Sequence, residues 1–186
     1  MNKDEDDDIK KWLDQMGEIF LIDVGIRQKQ TVLDLGCGVG NYAIPAAGVV
    51  GRSGKVYAID KNRGSLDELI QRTEERGLKN IEIIDVSEES DLPLQDESVD
   101  VVLLYDVIHL IDNRKELLAN IYRVSKPNAL ISVYPKHHQE HMNMELDDVK
   151  DEIETVHFRF ERMLYKILIH DNCLEQGYVL NFRKEC

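Results

Sequence analysis

Long uninterrupted apolar runs are missing from this chain of 186 residues. The longest, from Val99 to Ile111, is broken by Asp100, Asp106 and His109 and falls short of the roughly 20 apolar residues that span a bilayer. Cysteine is scarce. Cys37, Cys173 and Cys186 form an odd, scattered set without a Cys-x-x-Cys pair, which argues against a disulfide framework and against a zinc site. Positive charge is in short supply too: Lys plus Arg number 23 against 36 Asp plus Glu, for a formal charge of −13. Such a chain repels phosphate backbones, so no nucleic-acid partner is expected. The opening residues, Met1 to Asp8, are acidic and lack the apolar core of a signal peptide, so a cytoplasmic protein is expected. No internal repeat or low-complexity linker is visible.

What is present reads as one domain, residues 9–186 behind an acidic tail of residues 1–8, with 42% hydrophobic residues to build its core. Ile9, Trp12, Leu13, Met16 and Phe20 recur at helical spacing and predict an amphipathic first helix. Thr31–Leu35, Lys55–Asp60, Ile81–Asp85, Val99–Leu104 and Ala129–Tyr134 predict short buried strands. Between them, Asn41–Val50 predicts a helix that tolerates Pro45 in its first turn, and Ser65 with Glu68 predicts a capping box for a helix stopped by Gly77. Asn113 with Glu116 caps a helix whose apolar face is Leu117, Leu118, Ile121 and Val124. Buried strands separated by capped helices describe a parallel sheet covered on both faces, because parallel neighbours need a crossover. The fold class is α/β. After a helix around Leu146–Ile153, the runs His157–Ile169 and Tyr178–Arg183 follow each other with no helix between, which predicts a terminal hairpin and one antiparallel strand.

The stretch Val32-Leu33-Asp34-Leu35-Gly36-Cys37-Gly38-Val39-Gly40 ends the first strand in a Gly-x-Gly-x-Gly turn. Asn41 stands where a dinucleotide fingerprint would carry its third glycine, and no Gly-Lys-Ser/Thr cradle for a triphosphate is present. Ligands of open α/β sheets bind at the carboxyl ends of the strands, where Asp60, Asp85 and the pair Tyr105-Asp106 stand. An acid ending strand two can accept both hydroxyls of a ribose, and one ending strand three can accept from an exocyclic amine. Any one of these acids alone reads as a loop cap.

With these residues in place, the chain resembles the class I S-adenosylmethionine-dependent methyltransferases. The glycine stretch matches their first motif, and Val56–Asp60, Asp91–Leu94, Ser98–Val102, Val107–Asp112 and Arg123–Pro127 follow in the family's order. The likeness covers about Lys29 to Phe182 and is nearest to small-molecule enzymes such as those of ubiquinone and menaquinone biosynthesis. It implies a doubly wound, Rossmann-like, seven-stranded, mostly parallel sheet with S-adenosyl-L-methionine as cofactor and a small-molecule methyl acceptor as partner. It also implies roles for residues. Gly36, Cys37, Gly38 and Gly40 would admit the methionine part of the cofactor, with Asp34 near its amino group or ordering the loop. Asp60, with Lys61 beside it, would bind the ribose, and Asp85 and the Val86 amide the adenine edge. Leu104 and Tyr105 would run along the methionine moiety. In Lys126-Pro127-Asn128, Asn128 replaces a usual glycine and is expected in the left-handed conformation.

A sulfonium is already an activated electrophile, so the protein's task is to align a nucleophile, exclude water and accept a proton where the acceptor carries one. His109 and Asp106, at the end of strand four, are the expected catalytic residues; packing beneath the following helix is the plainer reading of His109. His138 and His141 could share a metal, but a polar loop accounts for them as well and no metal is expected. The first helix is expected to lie across the cofactor mouth as a lid, and the protein to be a monomer or homodimer. A binding module without turnover and a nicotinamide oxidoreductase are the competing readings.

Overall fold

The structure, a computed structural model, describes residues 3–88, 92–136 and 144–185. Its seven strands form one sheet in the order β3-β2-β1-β4-β5-β7-β6. They are β1 (Thr31–Leu35), β2 (Lys55–Asp60), β3 (Ile81–Asp85), β4 (Val99–Tyr105), β5 (Ser125–Tyr134), β6 (Phe158–His170) and β7 (Cys173–Lys184). The first five are parallel; β7 runs antiparallel to both β5 and β6. The expected α/β sheet and its single antiparallel strand are therefore present. The chain reverses its winding direction between β1 and β4, which makes the gap beyond their carboxyl ends the switch point of the sheet.

The helices are α1 (Lys3–Lys11), α2 (Gly17–Val24), α3 (Ala43–Val50), α4 (Arg63–Glu75), α5 (Arg114–Val124) and α6 (Leu146–Glu154). A π-turn over Trp12–Met16 joins α1 to α2 without a break in helical backbone. At its end, a Cβ on Gly17 would stand 2.9 Å from Pro45, so the missing side chain lets the two helices touch. Pro45 is the third residue of α3, where its lost N–H has no helical partner to serve. Helix α4 begins earlier than the capping box implied: Asn62 is the N-cap and accepts from the Ser65 amide. Asn113 caps α5 as expected, accepting from the Glu116 amide while donating to its carboxylate. Asn128 holds φ +62, the conformation required of it.

Two cores flank the sheet. One joins α1 to α4 through Trp12, Phe20, Leu21, Tyr42, Ile44 and Leu69 to inward residues of the strands; the other joins α5 and α6 through Leu117, Ile121, Val149 and Ile153. The apolar stripe expected to form a lid belongs to the first core. Trp12 is fully buried, with its ring 5.4 Å from those of Phe20 and Tyr42, and its Nε1 donates to the Asn41 carbonyl at 2.6 Å. Farther along, the Val24 carbonyl accepts from Asn181 Nδ2 on β7. The first helix thus packs into the first core and braces the glycine turn from the side, while Asp8 near its end accepts from the Leu174 amide at the start of β7, beside the ligand edge.

Candidate active site

The glycine turn follows β1 directly, and Gly36, Gly38 and Gly40 take φ of +71, +52 and +88. All three lie in the region that side chains rarely occupy. A Cβ on Gly36 would come within 2.5 Å of Val107, and one on Gly40 within 2.2 Å of Leu69, so these two glycines are required by packing. A Cβ on Gly38 would meet nothing within 4 Å. Gly38 therefore fronts open space at the switch point, where a ligand can reach the backbone. From below, Ile59 O accepts from the Gly36 and Cys37 amides at 2.8 and 3.1 Å. The Asp60 carboxylate accepts from the Gly38 amide at 2.7 Å and from the Asn62 amide at 2.8 Å. Asp60 thus holds the turn while retaining further acceptor capacity on each oxygen.

Asp34 lies beneath this turn, buried, and its Oδ2 has no hydrogen-bond partner. Burial, then the nearby Asp60 charge, push its carboxyl up to about 7, against the opposing bond from the Ala43 backbone. An orphaned, buried carboxylate oxygen fits a ligand that brings a cation or an N–H donor. The Cys37 thiol is pushed well up by burial and by Asp34 and Asp60, so it is no nucleophile here.

Elsewhere on this edge the structure corrects details. Asp85 pairs at 2.8 Å with Arg63, and the Val86 amide donates to the Asp60 carbonyl at 3.2 Å as part of the β2–β3 ladder. That amide is not left over for an adenine edge. Lys61 is exposed on the rim beside Asp60. Leu104 points into the second core, while Tyr105 turns into the first and bonds Ser132 through its hydroxyl at 2.7 Å. Both side chains are sealed, so only their backbone can line a ligand.

Beyond β4, Asp106 takes φ +57, and its amide donates to the Tyr134 carbonyl at 3.0 Å. Val107, packed on Gly36, fixes this bend against the glycine turn. His109 lies half-buried on a short helical turn, Ile108–Leu110. An imidazole from another strand lies beside Asp106, that of His170 at the end of β6: its Nδ1 is 2.9 Å from Asp106 Oδ1, and its Nε2 is 3.5 Å from Asp171 Oδ2. Next to this pair, Glu175 on β7 accepts from the Tyr134 hydroxyl and from Lys136 at 2.7 Å. The hairpin turn at residues 171–172 lies at the ligand edge, so Cys173 stands opposite His170 there. Sequence reading missed His170 and Glu175. The available signal was the polar His170 closing the apolar run Ile167-Leu168-Ile169, followed by the turn formers Asp171-Asn172. The His138/His141 pair, Asp91 and Cys186 lie outside the described residues.

The family model for the methyltransferase domain matches residues 26–180. The chain belongs to the methyltransferase-domain family. This methyltransferase domain is 29% identical over 107 residues to a demethylmenaquinone methyltransferase of Geobacillus stearothermophilus, a match covering 58% of this chain and 45% of that one. It is 31% identical over 116 residues to a ubiquinone/menaquinone biosynthesis C-methyltransferase of Escherichia fergusonii, covering 61% and 46%. The chain thus spans about half the length of these curated relatives. A solved structure of a SAM-dependent methyltransferase from Aquifex aeolicus superposes with a TM-score of 0.76 at 26% identity, covering 98% of both chains. Fold and family agree with the class I resemblance carried by the glycine stretch. Among the described residues, the domain has no helix long and apolar enough to cross a membrane.

Proposed function

We propose that this chain binds S-adenosylmethionine over the carboxyl ends of β1, β2 and β4 and catalyses methyl transfer to a small-molecule acceptor. The observation that carries the reading is the glycine turn: Gly38 open to ligand, Asp60 poised at the ribose position, and an unpartnered Asp34 oxygen suited to a cationic head group. When bound, the cofactor supplies an electrophilic methyl group on a sulfonium. The protein's own residues do the rest. Gly36, Cys37, Gly38 and Gly40 hold the methionine end through backbone, and Asp34 meets its ammonium. Asp60 accepts the ribose hydroxyls, with Lys61 at the rim. Asp85 marks the adenine side, and the backbone of Leu104 and Tyr105 lines the methionine. Asp106, at the switch point, faces the acceptor, and His109 stands three residues farther along the same segment. The relatives' own activities, on demethylmenaquinone and in ubiquinone and menaquinone biosynthesis, support a small-molecule acceptor.

Calorimetry with S-adenosylhomocysteine and with nicotinamide dinucleotides tests the cofactor. Heat with the former alone is expected; heat with a dinucleotide alone would overturn the reading. A screen with tritiated-methyl S-adenosylmethionine then separates an enzyme from a binding module, which would bind the cofactor and label nothing.

A further inference from the structure

The corner where β4, β5 and β6 end and β7 begins holds a side-chain cluster whose arrangement goes beyond the cofactor site. Asp106 is its centre. Oδ1 is sealed from solvent against His170 Nδ1 at 2.9 Å, while the side chain as a whole keeps 29% of its surface exposed. The accessible oxygen is therefore Oδ2, at the switch point beside the glycine turn. His170 is 7% exposed and sits between two carboxylates, with Asp171 Oδ2 3.5 Å from its other nitrogen. Neither ring nitrogen closes a well-aligned hydrogen bond, so what the arrangement offers is proximity of charge: an imidazolium here faces a carboxylate on each side. The backbone enforces the arrangement at several points. Asp106 is held at φ +57, Asp171 and Asn172 at +46 and +64, and the Ile169 carbonyl next to His170 accepts from Tyr42 Oη at 2.6 Å.

We infer that His170 is a positioning residue that keeps Asp106 ionised and aimed, so that Asp106 Oδ2 takes the proton of a methyl acceptor bearing an O–H or N–H group. The inference rests on the methyl-transfer reading above and deepens it by naming the acceptor class. In the step, the acceptor oxygen or nitrogen bonds to the methyl carbon, the sulfonium sulfur keeps the electron pair of the broken S–C bond, and the acceptor's proton goes to Oδ2. Charge balances, since the sulfonium's positive charge and the carboxylate's negative charge both disappear. An isolated carboxylate at this depth would hold its proton too firmly to act as a base near neutral pH. Burial does raise Asp106, to about 6, and His170 is the group opposing that rise. Burial alone would lower His170, but Asp106, Asp171 and Glu175 together raise it. The groups facing the pair are Asp171 on the hairpin turn, Glu175 on β7, held by Lys136 and Tyr134, and Tyr42 from the start of α3.

The test is a carboxyl-carbon NMR titration of the whole protein, with the Asp106 signal assigned by Asp106→Asn. In His170→Gln, the Asp106 midpoint is expected to rise by about 1–3 pH units, the effect of losing an adjacent opposite charge. An unmoved midpoint overturns the pairing. Should His170→Gln fail to fold, nitrogen-detected titration of His170 in Asp106→Asn gives the reciprocal reading. Its midpoint must fall by about the same amount, because the coupling is mutual, and an unchanged midpoint overturns the pairing equally. The acceptor class is read with tritiated-methyl S-adenosylmethionine against phenols, carboxylic acids and primary amines on one side, and thioethers and tertiary amines on the other. Labelling confined to the protic set, lost in Asp106→Asn and with its acid limb moved upward in His170→Gln, is the expected result. Labelling of the aprotic set that survives Asp106→Asn overturns it. Cofactor binding without labelling of any compound would overturn the turnover reading and this acceptor class together, whereas an unmoved Asp106 midpoint removes the His170 role alone.

Discussion

The two halves of the ligand edge are built from different material. Over β1, β2 and β3 the site is made of backbone: three left-handed glycines, their amides tied to Ile59 and Asp60, and an open approach at Gly38. Over β4, β5, β6 and β7 it is made of side chains from four strands' ends, with Asp106, His170, Glu175, Tyr134 and Lys136 holding one another. The first half comes from one short turn and a neighbouring strand. The second half exists only when the hairpin folds back beside β5. The lesson is that the half proposed to hold the cofactor is built of local backbone, while the half proposed to meet the acceptor is assembled from residues distant in the chain.

The largest expected effect breaks the backbone half. Gly38→Val should abolish S-adenosylhomocysteine binding, since a side chain would fill the open space in front of the turn. Stability should fall by about 1–2 kcal/mol, the cost of a left-handed non-glycine residue, because no atom lies within 4 Å of the added Cβ. Calorimetry and thermal melting check the two halves of that statement, and retained binding would show that the turn faces elsewhere. Asp60→Ala comes next, with cofactor affinity weakened by ~1.5–3 kcal/mol, the scale of hydrogen bonds to a charged group. Part of that loss would come through the freed Gly38 and Asn62 amides.

The side-chain half can be disturbed by itself. A Cβ on Gly177 would stand 2.4 Å from the Tyr134 ring, so Gly177→Ala should displace that ring and cost about 1–3 kcal/mol of stability. Cofactor affinity per folded molecule should not change. A parallel loss of affinity would show that the two halves are one unit.

A further expected effect is a pH trend. The folded-state pKa of Asp34, about 7, stands above its ordinary 3.8, so its contribution to stability is whole below about 3.8 and is lost as pH rises through 7. Asp34→Asn should flatten that part of the melting-temperature profile, and cofactor should protect the wild type most at the alkaline end. An identical slope in the variant would place the ionisation elsewhere.

How much was legible follows the same division. Helix and strand periodicity, the Asn113 cap and the left-handed Asn128 could be read directly, because each depends on neighbours within a few residues. The cap of α4 was displaced from Ser65 to Asn62, since either residue can accept from an amide three positions on and only the path out of β2 chooses between them. The first helix carried a stripe that had to be buried, yet its period does not say against what; Trp12 entered the core beside the glycine turn, and Asp8 reached the Leu174 amide on the hairpin.

By itself, the sequence determined the α/β alternation, the glycine turn with its acids, and the family these place the chain in. Those are properties of periodicity and of backbone conformations that glycine alone adopts freely. Only the tertiary structure decided which imidazole accompanies Asp106. His109 is three residues from it and lies on a separate turn, whereas His170 is brought to 2.9 Å by the closing of β6 on β7 and of β7 on β5. Strand pairing between distant segments is fixed by register and by the packing of both cores, and no spacing along the chain encodes that distance.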